Sequence, residues 1–365
     1  MKQSTTFVGL DVHSTSITVA VLEPGARQPR ISQIQNDTKS IRRTFQRLKR
    51  GTSLRCCYEA GPCGFELYRQ LTAMGIHCEV IAPSLVPKKP GERIKTDRRD
   101  AAKLARLYRA GELTAIRVPT EDEEAVRDLI RARDDVRRDL MSARHRLSKF
   151  LIRHGRIYSQ GAKWTQRHWH WIRDQAFDRR AELAVFEHYQ LQVHLLLERL
   201  AALDKEIAAF AETPAYRDDV ARLSCLRGIS TLSAMTLIAE LQDFRRFEHP
   251  RQLMAYVGIV PSERSSGQKR RLGAITKTGN THARRILVEA AWSYRRRPAR
   301  GPQARRLFEG QPPEVIALVQ KSQTRLFGRY RHLVGKGKRS QVAVTAVARE
   351  LCGFVWALMN HDHAA

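Results

Sequence analysis

Apolar and polar positions alternate through the first 22 residues in a pattern that predicts a strand, a turn and a second, antiparallel strand. Phe7, Val8 and Leu10 make an apolar run closed by Asp11, after which Ile17, Val19 and Val21 alternate with Thr18 and Ala20. Further on, Arg30 to Ile34 reads as a third strand, Ser40 to Lys49 as an amphipathic helix with Ile41, Phe45 and Leu48 on one face, and Leu54 to Tyr58 as a fourth strand ending at Glu59. A helix over Phe65 to Met74 and a strand over Cys78 to Ala82 complete the alternation. It predicts a mixed sheet covered by helices, an α/β domain over residues 1–118.

From Pro119 the period changes. Glu121 to Arg153 predicts one long helix in which Leu129, Val136, Leu140, Ala143, Leu147 and Phe150 keep a heptad-like spacing, broken by Arg133 at an expected apolar position. Residues 181–212 repeat the pattern through Leu196, Leu200, Leu203, Ile207 and Phe210. The region 119–215 is therefore expected to be helical, either an antiparallel hairpin or an oligomeric coiled coil. Its connector, Lys163 to Trp171, carries histidines and tryptophans that suit base stacking, metal binding or burial against the helices. Residues 216–365 predict a mainly α domain. Leu223 to Leu241 has the form of a helix-hairpin-helix with its turn at Gly228 to Ser230, and further helices follow from Thr281 and through Phe354 and Trp356.

Charge narrows the class of partner. The chain has 365 residues with 65 Lys plus Arg against 37 Asp plus Glu, a formal net charge of +28, which predicts a polyanion such as nucleic acid. The cysteines, at 56, 57, 63, 78, 225 and 352, include no CxxC pair, so neither a zinc site nor a disulfide framework is expected. No leader-like segment and no apolar run of membrane-spanning length is read from the sequence, and a soluble, cytoplasmic protein is expected.

Candidate chemistry gathers at two places. Asp11 ends the first strand and Glu59 follows the fourth, each either a turn acid or a metal ligand. Thr96 or Asp97 can cap a helix running to about Ala110, which puts Asp97 and Asp100 on one face of its first turn. Four carboxylates converging on strand ends would repel one another without a cation. The second place is the glycine-flanked stretch 256–280, where Ser265 and Ser266 stand among Arg264, Lys269, Arg270, Arg271 and Lys277. Hydroxyls, cations and glycines that permit close backbone approach suit a phosphate ligand.

Gly9-Leu-Asp-Val-His13, Tyr58-Glu-Ala-Gly-Pro-Cys-Gly-Phe65 and Lys95-Thr-Asp-Arg-Arg-Asp-Ala101 resemble the signature segments of the DEDD transposases of bacterial insertion sequences, the insertion-sequence-110 class. Gly258-Ile-Val-Pro261, Ser266-Gly267, Ile275-Thr-Lys-Thr-Gly-Asn280 and Ala283-Arg-Arg-Ile-Leu-Val-Glu-Ala290 resemble the C-terminal domain of the same family. The resemblance implies a RuvC-like RNase H fold for the first domain, with Asp11, Glu59, Asp97 and Asp100 holding Mg. It implies a serine nucleophile at Ser266, with Ser265 beside it as the alternative, and nucleic-acid contacts that include Arg284 and Arg285. It further implies strand cleavage and rejoining of donor and target DNA guided by a bridge RNA, in a homodimer or tetramer associated with the nucleoid. Two other readings stay open: a junction nuclease that hydrolyses DNA without a covalent intermediate, and a non-catalytic nucleic-acid-binding protein.

Overall fold

The structure is a computed structural model and describes residues 4–87, 91, 96–266, 269, 271–298, 301 and 306–361. Lys95, Gly267 and Arg270, all singled out above, lie outside the described residues. The chain divides into two compact units, Met1–Pro119 and Thr120–Ala365.

In the first unit, β1 (Thr5–Val12) and β2 (Ser16–Leu22) form the expected hairpin, closed by the His13 N–H donating to the Ser16 carbonyl at 2.9 Å. With β3 (Arg30–Gln35), β4 (Ser53–Glu59) and β5 (His77–Ile81) they make a five-stranded sheet of order β3-β2-β1-β4-β5. The first three strands pair antiparallel, whereas β1–β4 and β4–β5 are parallel. Parallel neighbours need crossovers, supplied by α1 (Thr38–Leu48) and α2 (Glu66–Ala73). Glu59 proves to be the last residue of its strand rather than the first beyond it.

Period-two alternation sends side chains to both faces of this sheet. Val8 and Leu10 join Ile41 and Phe45 of α1 and Leu67 and Leu71 of α2 on one face. On the other, Ala20 and Leu22 meet Ala101, Ala102 and Ala105 of α3 (Asp97–Ala110). The small α3 residues match a gap in β1. A Cβ on Gly9 would stand 2.3 Å from the Ala101 carbonyl oxygen and 2.4 Å from the Ala105 nitrogen, so helix backbone lies directly on strand backbone.

In the second unit, α4 (Glu121–Arg153) and α6 (Arg180–Ala211) run antiparallel: Val126 and Ile130 share a core with Ile207 and Ala211, and Leu147 and Phe150 share another with Phe186 and Val193. The two helices thus form an intrachain hairpin. Arg133 does not break it, because its guanidinium makes a two-pronged bond across to Asp204 at 2.7 and 3.3 Å. Phe210, expected in the seam, is exposed and Ala211 is buried in its place. The connector helix α5 (Gln166–Arg173) brings Trp164, Trp169 and Trp171 into the hairpin core around the buried His168, which supports burial over stacking on bases.

Short helices α7 (Arg217–Ser224) and α8 (Thr231–Leu241) follow, with Ser230 capping the second. After α9 (Pro250–Tyr256) the chain forms a small hairpin of β6 (Pro261–Glu263) and β7 (Leu272–Ile275) where the sequence suggests only a loop. Helix α10 (Thr281–Ala291), α11 (Pro313–Gly335) and α12 (Ser340–Met359) complete the unit. The last of these is long and apolar enough to cross a membrane, contrary to the sequence reading. Its buried face, from Ala343 and Val344 to Val355 and Leu358, is occupied by the protein core, as in a central helix of a folded domain.

Gly9 yields a direct test. Gly9→Ala should destabilise the first unit by about 1–3 kcal/mol, the usual cost of overpacking, read as a lowered urea midpoint. A variant as stable as the parent would show that the close approach is not required.

Candidate active site

The β1 strand ends beside the start of α3, and this junction assembles the acids. Asp11 pairs in register with Thr18 near the end of β1. Thr96 caps α3, its Oγ1 accepting from the Arg99 N–H at 3.4 Å, which fixes Asp97 and Asp100 in the first turn. His13 in the β1–β2 turn lies between two of these carboxylates: Nε2 is 3.4 Å from Asp11 Oδ2 and 3.6 Å from Asp97 Oδ2. One ligand atom from each of Asp11, His13 and Asp97 lies within 4.8 Å of the others. Glu59 ends the neighbouring parallel strand, one residue beyond the Leu10–Tyr58 pair, and stands outside that triad. Sequence reasoning passed over His13; the signal was its position two residues beyond Asp11 in a tight turn.

Burial pushes the Asp11 carboxyl above its ordinary value, His13 pulls it down, and repulsion from Asp97 and Asp100 adds to the rise. Among the described residues no Lys or Arg forms an ion pair with Asp11 or Asp97. The half-buried Asp11 and the exposed Asp97 offer mutually repelling carboxylate oxygens, a donor type that suits a hard divalent cation, with the exposed His13 nitrogen beside them. Arg98 and Arg99, in the same helical turn as Asp97 and Asp100, are exposed.

The serines lie on the β6–β7 hairpin. The Ser265 hydroxyl donates to Glu263 Oε1 at 2.7 Å and accepts from the Arg271 N–H at 3.3 Å. Ser266 and Lys269 exchange backbone hydrogen bonds of 3.2 Å, so Ser266 sits in an exposed bridge at the hairpin end. Arg264, Lys269 and Arg271 are exposed on the same hairpin, and Lys277 is exposed beyond its base. Lys277 holds φ at 58°, a left-handed backbone that non-glycine residues seldom adopt.

A rigid base supports this loop. Asn280 N–H donates to the Tyr256 carbonyl at 3.0 Å and Lys277 N–H to that of Gly258 at 3.0 Å. A Cβ on Gly279 would meet the Tyr256 oxygen at 1.9 Å, so glycine is obligatory there. Beneath lies Glu240, whose side chain is 0% exposed. Its carboxylate accepts from Arg131 Nε and Nη2 at 2.8 and 2.9 Å and from Asn280 Nδ2 at 2.7 Å. The Asn280 Oδ1 in turn caps α10. Glu240 so ties α4 of the long hairpin to the loop behind the serines. Arg284 donates to the Val257 and Thr278 carbonyls, and Arg285 pairs with buried Asp134 at 2.9 Å, so both arginines have partners within the protein.

Comparison with known proteins bears on both sites. A family model described as a transposase, of the DEDD and IS110 type, matches residues 8–154, and the model "Transposase IS116/IS110/IS902 family" matches residues 220–308. A transposase of Sinorhizobium fredii, y4qE, is 42% identical over 96% of this chain and 88% of its own length. The transposase for insertion sequence element IS1533 of Leptospira borgpetersenii is 36% identical over 91% of this chain and 98% of its own. The transposase for IS1111A of Coxiella burnetii is 26% identical over 61% of each chain.

The buried acids of the second unit predict its acid response. Burial opposes ionisation of Glu240 and Asp134, but Arg131 and Asn280 for the first, and Arg137 and Arg285 for the second, outweigh it and hold both carboxyls below their ordinary values. Folded values below unfolded ones give stability that is present above the ordinary carboxylate range, about pH 4, and lost as pH falls through the lowered values. Glu240→Ala, which removes the acceptor of Asn280 and the partner of the part-exposed Arg131, should cost about 1–3 kcal/mol in urea unfolding and flatten the acid limb of the stability profile. An unaltered acid limb would show that the network does not set this response.

Proposed function

The chain belongs to the IS110-type family of insertion-sequence transposases, and on that footing we propose that it cleaves and rejoins DNA through a covalent bond to Ser266. In this reading Asp11, Glu59, Asp97 and Asp100 hold Mg on a RuvC-like, RNase H-type domain, with the α4–α6 region (119–215) serving assembly and residues 216–365 carrying the serine. The single observation that carries the proposal is that one chain has both a cation-suited carboxylate cluster and a hydroxyl on an exposed, cation-ringed hairpin. Hydrolysis needs only the former. A structured bridge RNA that pairs with donor and target DNA suits a protein with a large positive charge and a recognition mode based on backbone and shape. The two sites of one catalytic centre come from different subunits of a dimer or tetramer in this scheme.

The chemistry balances as a transesterification. Ser266 Oγ attacks the scissile phosphorus, an O–P bond forms and the bond to one deoxyribose oxygen breaks. The hydroxyl proton passes to a base on the protein or to solvent, and the leaving oxygen takes up a proton. Rejoining reverses these steps with the oxygen of another strand, so the phosphodiester energy is conserved. Arg264, Lys269, Arg271 and Lys277 hold the phosphates, and Ser265, bound to Glu263 and to the Arg271 amide, braces the hairpin. A divalent cation, when bound, supplies Lewis-acid stabilisation of the charge on the phosphoryl oxygens.

Two experiments test this. Protein, guide RNA and end-labelled DNA incubated with Mg and then denatured should yield a DNA–protein adduct mapped by mass spectrometry to Ser266. It should be absent in Ser266→Ala and present in Ser265→Ala. Cleavage that persists in the double variant would replace the serine route with hydrolysis. Independently, the raised carboxyl of Asp11 means that its ionisation opposes folding at neutral pH. Asp11→Asn should therefore raise the melting temperature in chelator and abolish the further rise that Mg gives the parent protein. A Mg-induced rise retained in Asp11→Asn would remove Asp11 from the cation site.

A further inference from the structure

The outer face of the first unit carries a second concentration of charge that the serine and carboxylate chemistry does not use. Between Asp37 and Glu59 the chain has no acid, while seven of its residues are Lys or Arg. Helix α1 buries Ile41, Thr44 and Phe45 against the sheet, which turns its polar positions outward. Lys39, Arg42, Arg43, Arg47 and Arg50 are all exposed, and they line one side of a groove of about 950 Å³ whose other side is the edge strand β3. Among the described residues none of these five cations forms an ion pair with a carboxylate. Cations gathered without acids repel one another, and a surface of this kind is complementary to a chain of phosphates.

The groove has a direction. At its upper end Asn36 Nδ2 donates to the His13 carbonyl at 2.7 Å, Asn36 N–H to that of Thr15 at 3.0 Å, and Gln33 Nε2 to Ser16 Oγ at 3.1 Å. These bonds join the end of β3 to the turn that holds His13, and His13 touches Asp11 and Asp97. Helix α1 then starts at Thr38 and leads away from the carboxylates for its 11 residues. At 1.5 Å per residue that is about 16 Å, the rise of roughly five nucleotides at 3.4 Å per strand step.

From this we infer that the β3–α1 groove binds the sugar-phosphate backbone of the DNA that leads away from the carboxylate cluster. Arg42 and Arg47, about 1.4 turns apart, contact phosphates at separate points, and the hydroxyl and amide groups of Ser32 and Gln33 line the opposite wall. The contact is sequence-neutral. It holds the strand beside the cluster. The inference rests on DNA being the substrate of this family, and on nothing about the nucleophile.

The test is equilibrium binding of the full chain to a 30-base-pair DNA duplex in chelator, without guide RNA, over a range of KCl concentrations. Each lost phosphate contact should reduce the steepness of log affinity against log salt by about 1. Arg42→Gln with Arg47→Gln should therefore flatten it by about 2, whereas the pair Arg27→Gln with Arg109→Gln, exposed on the same unit outside the groove, should leave it within error. Both pairs keep the far-ultraviolet circular dichroism of the parent if they fold. Equal flattening by the two pairs, or none by the first, overturns the inference. Flattening seen with an RNA duplex but not with DNA assigns the groove to RNA and also overturns it. Because the assay needs neither cation nor serine, failure of the covalent mechanism leaves this result untouched.

Discussion

Scarcity of negative charge governs both units of this protein. In a chain with a formal charge of +28, a carboxylate can almost always be matched by arginine, and the buried ones in the second unit are. Glu240 is clasped by Arg131, and Asp134 by Arg137 and Arg285; these pairs close the core with their charges compensated. Asp11 and Asp97 differ. Among the described residues only a histidine comes close enough to pair with either, and their repulsion stays uncompensated within the protein. The contrast separates acids clasped by arginine from acids that face one another across a histidine, a distinction that sequence position alone does not make.

Much of this was readable from residue pattern because the relevant signals are local. Thr96 with Asp97 and Asp100 announces a capped helix, and the alternation around Val19 announces a strand; in both cases the partner group is a few residues away. Gly9 was legible only as part of a motif. Its physical reason, backbone contact with Ala101 and Ala105, needs a helix more than 90 residues further along the chain. Arg133 looked like an interruption because its partner, Asp204, lies on another helix.

The serine hairpin escaped the pattern for a different reason. Strands of the length and composition of Pro261–Glu263 and Leu272–Ile275 are mostly exposed and bury no continuous apolar face, so neither period-two alternation nor β-branched enrichment marks them. What shapes them is the floor formed by Gly258, Gly279 and Asn280, fixed by contacts to Tyr256 and Glu240. Glu240 itself reads as the charged end of an apolar helix. Its importance lies in two partners, one of them 109 and the other 40 residues away.

The clamp between Arg131 and Glu240 grips α4 about a third of the way along its length, and the rest of that helix projects to the aromatic tip around Trp164. From Arg131 to Arg153 the helix extends about 33 Å at 1.5 Å per residue, so a 10° tilt at the clamp carries the tip through about 6 Å. In the reverse sense, a load applied at the tip arrives as torque with a long arm at the two buried carboxylates that tie this helix down, Asp134 held by Arg285 and Glu240 held by Arg131, and through Glu240 at the Asn280 amide. The hairpin is mechanically a lever whose fulcrum is a pair of buried carboxylates.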